Sequence, residues 1–308
     1  MQKFKSSTFK SAKSLWFYIG FLILPLLQFC IFYIGVNINS FVLAFRNISL
    51  DESTKQYIYG WTFDNFSNWF TDVNEFQQLC STFLVSLKSY VISLVIGVPL
   101  GLLFAYYIFK KLPGSMFFRF MLFMPSIIAS IVLVTIFKYF CECVVPEILG
   151  VFKIELEEYL LNGSMRYATV MFYNLFVSFG TTVLLYSNKM ASISPEVIEA
   201  AQLDGVTPVR EFFSIVLPQT FSTLSIFLVT GIAGIFTNEI NNFSFFAYTM
   251  KPDTTTLGFL MYFRTQRAKG DIMQYPPLAA LGIMMSVVAI PLTFLARWFL
   301  NKVGPSEE

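Results

Sequence analysis

Long apolar stretches alternate with short polar segments along the whole chain. An α-helix needs about 20 apolar residues to cross roughly 30 Å of hydrocarbon. Six stretches reach that length, near residues 15–36, 84–109, 118–140, 167–187, 221–241 and 277–300. The pattern therefore predicts an all-α membrane protein with six transmembrane helices. Residues 1–14 are expected to form a cytoplasmic tail, and residues 15–308 a single transmembrane domain.

The composition agrees with burial in lipid and argues against several classes of function. Of the 308 residues, 56% are hydrophobic and 13% are charged, and the mean hydropathy is +0.63. A typical soluble domain carries about 25% charged residues. The net charge of +2 gives no dominant basic surface for nucleic acid. Because histidine is absent, the commonest catalytic base and metal ligand are lacking, and no catalytic or metal-binding residue is predicted.

The positions of basic residues predict which side of the membrane each loop occupies. Four lysines precede the first stretch, and Lys110, Lys111 and Arg119 lie in the short turn between the second and third. Basic residues concentrate in cytoplasmic loops. Both termini and the loop at 188–220 are therefore expected in the cytoplasm of a multi-pass protein of the plasma or inner membrane. The first stretch is expected to be a retained helix, since no small-residue cleavage site follows it.

One cytoplasmic loop carries the start and stop signals of two short helices. The Ser-Pro-Glu segment at 194–196 combines a capping residue, a proline and an acidic residue, which favour a helix start. Gly205 is expected in the left-handed conformation just after that helix. A Thr-Pro pair at 207–208 repeats the start signal, and Pro218 is expected to end the second helix. The loop is thus predicted to be a helix-turn-helix.

The second helix of this loop has an apolar stripe at positions i, i+3, i+4 and i+7. These positions are Val209, Phe212, Phe213 and Val216. Helix physics leaves two interpretations open. The stripe could enter the groove of a soluble partner, or it could lie on the membrane surface as an interfacial amphipathic turn.

The spacing within the loop resembles the EAA loop of permease subunits of ABC importers. Glu199-Ala200-Ala201 is followed after three residues by Gly205, then after nine residues by Ile215, and after one more by Leu217-Pro218. Asp204 matches the Asp-Gly pair that is frequent in the family. Val206 departs from a usual alanine, and no second proline follows Pro218 at the expected distance. Weaker matches extend the resemblance over almost the whole chain, which looks like the first, MalF-like, of two unlike carbohydrate-type permeases.

The resemblance implies the type I ABC importer permease fold, with an EAA loop that docks into a cleft of a separate ATPase subunit. The residues expected to take part in this coupling are Glu199, Ala200, Ala201, Asp204, Gly205, Phe212, Ile215, Leu217 and Pro218. The implied partners are a second homologous permease subunit, two ATPase subunits and an extracytoplasmic sugar-binding protein. The chain lacks the G-x-x-x-x-G-K-[ST] segment that cradles ATP phosphates. It is therefore not expected to be an enzyme or to hold a cofactor, and ATP and Mg are expected on the ATPase subunits.

Polar side chains inside the apolar stretches are the candidate substrate contacts. Asn174, Ser178 and Thr181 fall on one face of the fourth stretch, and Asn238 and Glu239 lie at the end of the fifth. In the sugar permeases that the chain resembles, these two helices line the sugar site. The same residues could instead join helices, since Ser, Thr and Asn often do so in membrane bundles.

Aromatic residues near these positions offer an apolar surface for a sugar ring. Tyr173, Phe176 and Phe236 are the candidates for stacking on it. Amide and hydroxyl groups match the hydroxyl groups of a sugar, so the two residue types together favour a carbohydrate.

These features predict a permease subunit that forms half of the transmembrane path for a carbohydrate, expected to be an oligosaccharide, in an ATP-driven importer. An ABC permease for a polyol, glycerol phosphate or peptide is the alternative, although few cationic residues lie within the spans for an anionic cargo. An intramembrane enzyme is disfavoured by the absence of histidine and of paired carboxylates within the spans. A scaffold protein without a transport path also stays open.

Overall fold

A computed structural model describes residues 12–51, 53, 55–152 and 160–305. Residues 1–11, most of the predicted tail, lie outside the described residues. The described chain is largely helical, with one β-hairpin. In chain order its elements are α1 (Ala12–Gln28), α2 (Val36–Ala44), β1 (Arg46–Leu50), β2 (Tyr57–Trp61), α3 (Asp64–Thr71), α4 (Val73–Ile92), α5 (Val98–Phe109), α6 (Ser115–Ile127), α7 (Ser130–Tyr139), α8 (Val145–Val151), α9 (Arg166–Met190), α10 (Pro195–Leu203), α11 (Pro208–Glu211), α12 (Leu217–Thr237), α13 (Asn242–Phe246), α14 (Leu257–Arg267) and α15 (Tyr275–Val303).

Short segments of other helix types join several of these elements. The π-helical segments are Phe29–Gly35, Ser93–Gly97, Phe140–Val144 and Phe212–Val216. The 3₁₀ turns are Gly163–Met165 and Ile272–Gln274. Because the π segments run directly into α-helices on both sides, they lengthen the helical stretches rather than interrupt them.

Five helical stretches among the described residues are long and apolar enough to cross a membrane. They are Trp16–Ala44, Val73–Phe109, Gly163–Met190, Pro208–Phe246 and Ile272–Val303. Each overlaps one of the predicted spans. Every described side chain from 16 to 41 is exposed, which is the arrangement expected of a helix whose apolar side chains face lipid or another membrane subunit.

The third predicted span, at 118–140, is broken rather than continuous. α6 and the helical run Ser130–Val151 are bent by 104° relative to each other. Between them Ile128 and Ala129 are extended, with ψ of 137° and 131°. Pro125 lies inside α6 and removes a backbone donor from its last turn. Hydropathy does not register this break, because Ile128 and Ala129 are themselves apolar.

By its internal contacts the chain divides into two compact units, and the first contains residues up to 71 and 268–284. Its two strands pair antiparallel, with Ile48 opposite Tyr59, so the all-α prediction missed this hairpin. The buried Asn65 amide donates to the carbonyl oxygens of Ala44 at 2.9 Å and Arg46 at 2.8 Å. These bonds satisfy backbone groups where the chain leaves α2 for the hairpin, and so fix the start of β1.

The second unit contains residues 72–267 and those from 285 onward. One of its cores packs α5 and α9 against the segment that follows α10. Its buried members are Leu102, Ala105, Ile108, Val183, Tyr186, Met190, Ile193, Phe212 and Val216. A second core packs α7 and α9 against α13, and its buried members include Val134, Val170, Tyr173, Ile240 and Phe245.

α6 and α9 approach each other closely at Gly180. A Cβ on Gly180 would overlap the carbonyl oxygen of Leu122 in α6. The contact therefore tolerates only glycine, as small residues often allow backbones to meet in membrane helices. Gly234 in α12 is different, since a Cβ there would have no atom within 4 Å.

We expect Gly180→Ala to destabilise the protein by about 1–3 kcal/mol, because the methyl group must displace the backbone of α6. Gly234→Ala is the matched control and is expected to be neutral or slightly stabilising, since alanine favours the helix by up to about 1 kcal/mol. Thermal unfolding of the two purified variants in the same detergent measures the difference. Equal midpoints for both would show that α6 and α9 do not meet at Gly180.

Candidate functional site

The first helix of the loop at 188–220, α10, ends as its sequence predicts. Gly205 has φ of +72°. Its N–H donates to the Gln202 carbonyl at 3.1 Å, and the Val206 N–H donates to the Ala201 carbonyl at 3.0 Å. These two bonds form a Schellman motif, which satisfies the last carbonyls of the helix. The left-handed conformation predicted for Gly205 is confirmed, although the Ser194 side chain makes no capping bond at the other end of α10.

α10 has one face turned outward and one turned toward the core. Ala201 is buried, whereas Glu199 and Ala200 are exposed, and Leu203 is 90% exposed. Because successive residues of a helix are about 100° apart, Glu199, Ala200 and Leu203 share the side opposite Ala201. Asp204 and Gly205 are exposed beside them. We call these five exposed residues, 199, 200 and 203–205, the coupling face.

The apolar stripe of the second helix has two edges with different surroundings. Phe212 and Val216 are buried in the core with α5 and α9. Val209 and Phe213 are 69% and 60% exposed. The prediction of a single ridge offered to a partner is therefore wrong for Phe212 and Val216. These two residues anchor the loop, and Val209 and Phe213 remain open for contact.

Pro218 does not end the second helix, contrary to the sequence prediction. The run from Pro208 to Thr237 is helical throughout, because the π segment Phe212–Val216 leads directly into α12. The Leu217 N–H donates to the Phe212 carbonyl, a bond of the i+5 type. Pro218 thus falls in the first turn of a new helical register, where its missing N–H is tolerated. Pro218, Leu217 and Ile215 are all half-buried.

A buried ion pair ties this loop to the end of α5. Glu211 is 2% exposed, and its two carboxylate oxygens accept from Lys110 Nζ at 2.9 Å and 3.0 Å. The Tyr106 hydroxyl lies 3.1 Å from Oε1 of the same carboxylate and donates to it. The Tyr106 ring also packs edge-on against Phe212 at 5.1 Å. The sequence does not predict this cluster directly, although the predicted cytoplasmic location of both Lys110 and Glu211 is consistent with a contact between them.

At the other end of α12 the chain unwinds for four residues. Asn238 is extended, and Ile240 and Asn241 have φ of 46° and 58°. Left-handed backbone is unfavourable for a β-branched residue such as isoleucine. The turn persists because side chains satisfy it: Asn238 Oδ1 accepts from the Ile240 N–H at 2.8 Å, and Thr256 Oγ1 donates to the Asn238 carbonyl at 2.7 Å.

Asn174 on α9 holds the same turn from the side. Its Nδ2 donates to the Ile240 carbonyl at 2.9 Å and to the Val170 carbonyl at 2.8 Å. Its Oδ1 accepts from Asn241 Nδ2 at 2.7 Å, and Asn241 Oδ1 in turn accepts from Ser130 Oγ at 2.7 Å. We call Ser130, Asn174, Asn238, Asn241 and Thr256 the amide network. Ser130 starts α7 directly after the break in the third span, so sequence analysis could not link it to Asn174.

The predicted substrate contacts thus differ in what they can still bind. Both amide hydrogens of Asn174 are already used within the chain. Ser178 and Thr181 are exposed on the same face of α9, and their hydroxyls donate to carbonyls of their own helix. Asn238 is exposed, and its Nδ2 makes no bond to the described residues. Glu239 is half-buried, and its Oε2 is buried without a partner among the residues described.

Two of the three aromatic residues considered for stacking are not available for it. Tyr173 and Phe236 are buried in the cores of the second unit. Phe176 is 53% exposed. Ser178 also lines a cavity of about 140 Å³ between α4, α5, α9 and α12, together with Tyr186 and Gly231.

Comparison with known proteins places this arrangement in a family. Residues 97–305 match the family model described as "Binding-protein-dependent transport system inner membrane component". The matched region is more than half of the chain and contains both the coupling face and the amide network. The chain belongs to this family.

Curated relatives of this permease are transport proteins of bacteria. "Multiple sugar-binding transport system permease protein MsmF" of Streptococcus mutans serotype c is 25% identical over 174 residues, which are 56% of this chain and 60% of MsmF. "Galactooligosaccharides transport system permease protein GanP" of Bacillus subtilis is 25% identical over 288 residues, or 87% of this chain and 66% of GanP. "Probable ABC transporter permease protein YurN" of Bacillus subtilis is 29% identical over 70% of this chain and 74% of YurN. The permease spans 60% of MsmF, and 64% and 50% of two mycoplasma relatives.

Solved structures share the fold of the permease. A chain of "a bacterial ABC transporter involved in the import of the acidic polysaccharide alginate" superposes with a TM-score of 0.74 at 21% identity, covering 94% of this permease and 97% of that chain. A chain from a second alginate transporter structure, in complex with "alginate pentasaccharide-bound periplasmic protein", gives 0.71 at 22% identity, covering 92% and 93%. The predicted ABC importer permease fold is confirmed, with the hairpin and the broken third span as additions.

The Lys110–Glu211 pair generates a stability prediction for the permease. We expect Glu211→Gln to lower the free energy of unfolding by about 1–3 kcal/mol, because it leaves the Lys110 charge unpaired. Lys110 is 21% exposed and can partly rehydrate, which keeps the cost below that of a fully buried pair. Glu196→Gln, an exposed change on α10, is the control and should stay within about 0.5 kcal/mol of wild type.

A double-mutant cycle that combines Glu211→Gln with Lys110→Met measures the interaction energy between the two side chains. The double variant should lose less free energy of unfolding than the two single variants lose in sum, because each single change leaves one charge unpaired. Chemical or thermal unfolding in detergent measures all four proteins. Strictly additive costs would show that the two side chains do not interact.

Proposed function

We propose that this permease forms half of the transmembrane path for a carbohydrate, an oligosaccharide, in an ATP-driven importer. The single observation that carries the proposal is the coupling face: exposed apolar and small residues on a loop that is otherwise firmly anchored. Leu203 is 90% exposed there, while Ala201, Phe212 and Val216 of the same loop are buried. A rigid loop with an open apolar contact is suited to a partner.

The partner that the coupling face suits is a separate ATPase subunit. The permease carries no phosphate-cradling G-x-x-x-x-G-K-[ST] segment, so energy from ATP must reach it through contact. Glu199 adds a carboxylate beside Ala200 and Leu203, and Val209 with Phe213 extends the apolar surface. ATP and Mg belong to the ATPase subunits in this proposal, and the permease itself is not an enzyme.

The oligosaccharide cargo is supported by polar side chains on α9 and at the end of α12. Ser178, Thr181 and Asn238 are exposed and can exchange hydrogen bonds with sugar hydroxyls. The relatives MsmF and GanP carry names that refer to multiple sugars and to galactooligosaccharides. Polyol, glycerol phosphate and peptide cargoes gain no support from these names.

The remaining partners follow from the family description and from the neighbouring structures. The family is that of inner membrane components of binding-protein-dependent systems, and one alginate transporter was solved with a periplasmic protein bound to a pentasaccharide. For this permease we infer a second homologous permease subunit, two ATPase subunits and an extracytoplasmic sugar-binding protein. We place both termini and the coupling face in the cytoplasm, as the basic residues near the first three spans favour.

Leu203→Asp tests the coupling role. We expect the variant to fold normally, because the side chain is exposed, and to bind the ATPase subunits about tenfold or more weakly, because a buried leucine contributes about 1.5–3 kcal/mol to a contact. Leu112→Asp, the same change at an exposed leucine of the turn between α5 and α6, is the control. The measurements are co-purification and the ATPase rate stimulated by the binding protein in proteoliposomes. Stimulation at the wild-type level in Leu203→Asp would overturn the role of the coupling face.

The same substitution at two asparagines tests the transport path. Asn238→Asp keeps the oxygen that accepts from Ile240 N–H and removes the free Nδ2 donor. We expect it to leave thermal stability unchanged and to raise the half-saturating cargo concentration several-fold, as the loss of one hydrogen bond of about 1 kcal/mol implies. Asn174→Asp removes two donors that the backbone uses, so we expect it to lower stability by roughly 2 kcal/mol or more.

Uptake into proteoliposomes by the complete transporter, together with thermal unfolding, distinguishes these outcomes. Wild-type uptake in Asn238→Asp would remove that residue from the path. Transport of no oligosaccharide by the wild-type transporter, tested with the sugars that its binding protein retains, would overturn the proposed cargo.

A further inference from the structure

Three aromatic rings pack together beyond the end of α12, the part of the chain in which Glu239 lies. The Phe243 ring lies 5.5 Å from the Tyr248 ring and 5.2 Å from the Tyr262 ring, edge-on to both. Tyr248 is 59% exposed, and Phe243 and Tyr262 are half-buried. Tyr262 on α14 is within electrostatic range of both Tyr248 and Glu239, and loss of hydration together with these two neighbours raises the pKa of its phenol. The cluster therefore combines exposed aromatic surface with one carboxylate.

Glu239 is not compensated by a cation within the described residues. No ion pair there includes it. Three basic side chains of neighbouring elements are engaged elsewhere: Lys138 donates to the Phe245 carbonyl at 3.0 Å, Arg166 pairs with Asp253 at 2.7 Å, and Lys88 lies over the Tyr167 ring at 4.0 Å. The carboxylate accepts one backbone hydrogen bond, from Phe243, but its Oε2 is buried without a partner among the described residues. A buried acceptor without a donor is costly, so this oxygen gains free energy from a ligand that donates to it.

The backbone around the cluster is strained. Ala247 has φ of 50° and ψ of −121°, and it directly precedes Tyr248. Ile240 and Asn241 are also left-handed, so three non-glycine residues within eight positions occupy unfavourable conformations. Strain of this kind is retained where the surrounding structure imposes it, and it concentrates at ligand sites. Here the strained Ala247 directly precedes Tyr248, whose exposed ring lies beside Phe243.

We propose that Glu239 and the rings of Phe243, Tyr248 and Tyr262 form a carbohydrate subsite at the outer end of the path, selective for neutral sugars. The inference rests on the proposed function and deepens it. The carboxylate accepts from hydroxyl groups of a pyranose, and one of the rings covers the apolar face of the sugar. The terminal torsion of glutamate is soft, so the carboxylate can turn its buried oxygen toward the ligand.

The charge of Glu239 sets the selectivity of this subsite. A neutral sugar replaces the missing hydrogen-bond donor, and charge-assisted bonds of this kind are stronger than neutral ones. A uronate sugar brings a second carboxylate next to an uncompensated first one, and such like-charge contacts act against the wrong ligand. The subsite should therefore discriminate between sugars of equal length by charge alone.

Photolabelling of the complete transporter tests the subsite directly. The probe is a maltotriose derivative that carries a diazirine, and labelled peptides are mapped by mass spectrometry. We expect label in residues 239–248 and in α14. Unlabelled maltotriose, added before irradiation, should prevent labelling at a concentration at least about tenfold lower than trigalacturonate requires. This ratio corresponds to a difference of about 1.4 kcal/mol in binding free energy. Label confined to other parts of the permease would overturn the proposal.

Variants separate recognition from structure. Glu239→Gln, at unchanged thermal stability, should bring the two competitors to within about threefold of each other, because the repulsion is removed while an acceptor remains. Tyr248→Ala should reduce labelling by the maltotriose probe, because the ring that covers the sugar is lost. Glu142→Gln, an exposed glutamate outside the cluster, is the matched control and should leave the preference intact. An unchanged preference in Glu239→Gln would overturn the subsite, whereas the proposed import function would fail only if the wild-type transporter carried no carbohydrate.

Discussion

A membrane helix that unwinds must satisfy its freed backbone groups without water, and this constraint shapes the permease around residues 238–241. The turn at 238–241 lies within a helical stretch long enough to cross the bilayer. Asn174 meets the constraint, because its amide donates to the Ile240 carbonyl from a neighbouring helix. Asn241 then donates to Asn174 Oδ1, and Ser130 donates to Asn241 Oδ1. The positions of α7, α9 and α13 relative to one another follow from these bonds.

The same turn is connected to the loop at 188–220 by one continuous helix. The run from Pro208 to Thr237 contains thirty residues, which extend for roughly 45 Å at 1.5 Å per residue. The π segment at 212–216 keeps the helix unbroken past Pro218. A displacement of the loop is therefore transmitted to the amide network through a continuous helix. Phe212 and Val216 pack the start of this helix against the core.

The sequence predicts the elements whose signals are local and fails where the outcome depends on a neighbour. The span positions follow from hydropathy, and Gly205 follows from the chemistry of helix ends. Periodicity identifies the stripe from Val209 to Val216, but adjacent helix positions are about 100° apart. It therefore cannot tell that Phe212 is covered and Phe213 exposed. The sequence shows Asn174 as a polar residue within a span, but only its contacts with Ile240 and Val170 reveal that its donors are already used.

The Lys110–Glu211 pair, the amide network and the packing between them link α5, α9 and α12 to one another. Lys110 at the end of α5 holds Glu211, which lies in the first turn of the helical run that includes α12. Asn174 on α9 holds the turn at the far end of that run. α5 and α9 are in direct contact, since a Cβ on Gly101 would lie 3.2 Å from the Thr182 methyl group. Because each helix is joined to the other two, a push on the loop cannot shift α12 alone. It must either move the three helices as one body or break a buried polar contact, and the second course is costly because it leaves buried polar groups unpaired.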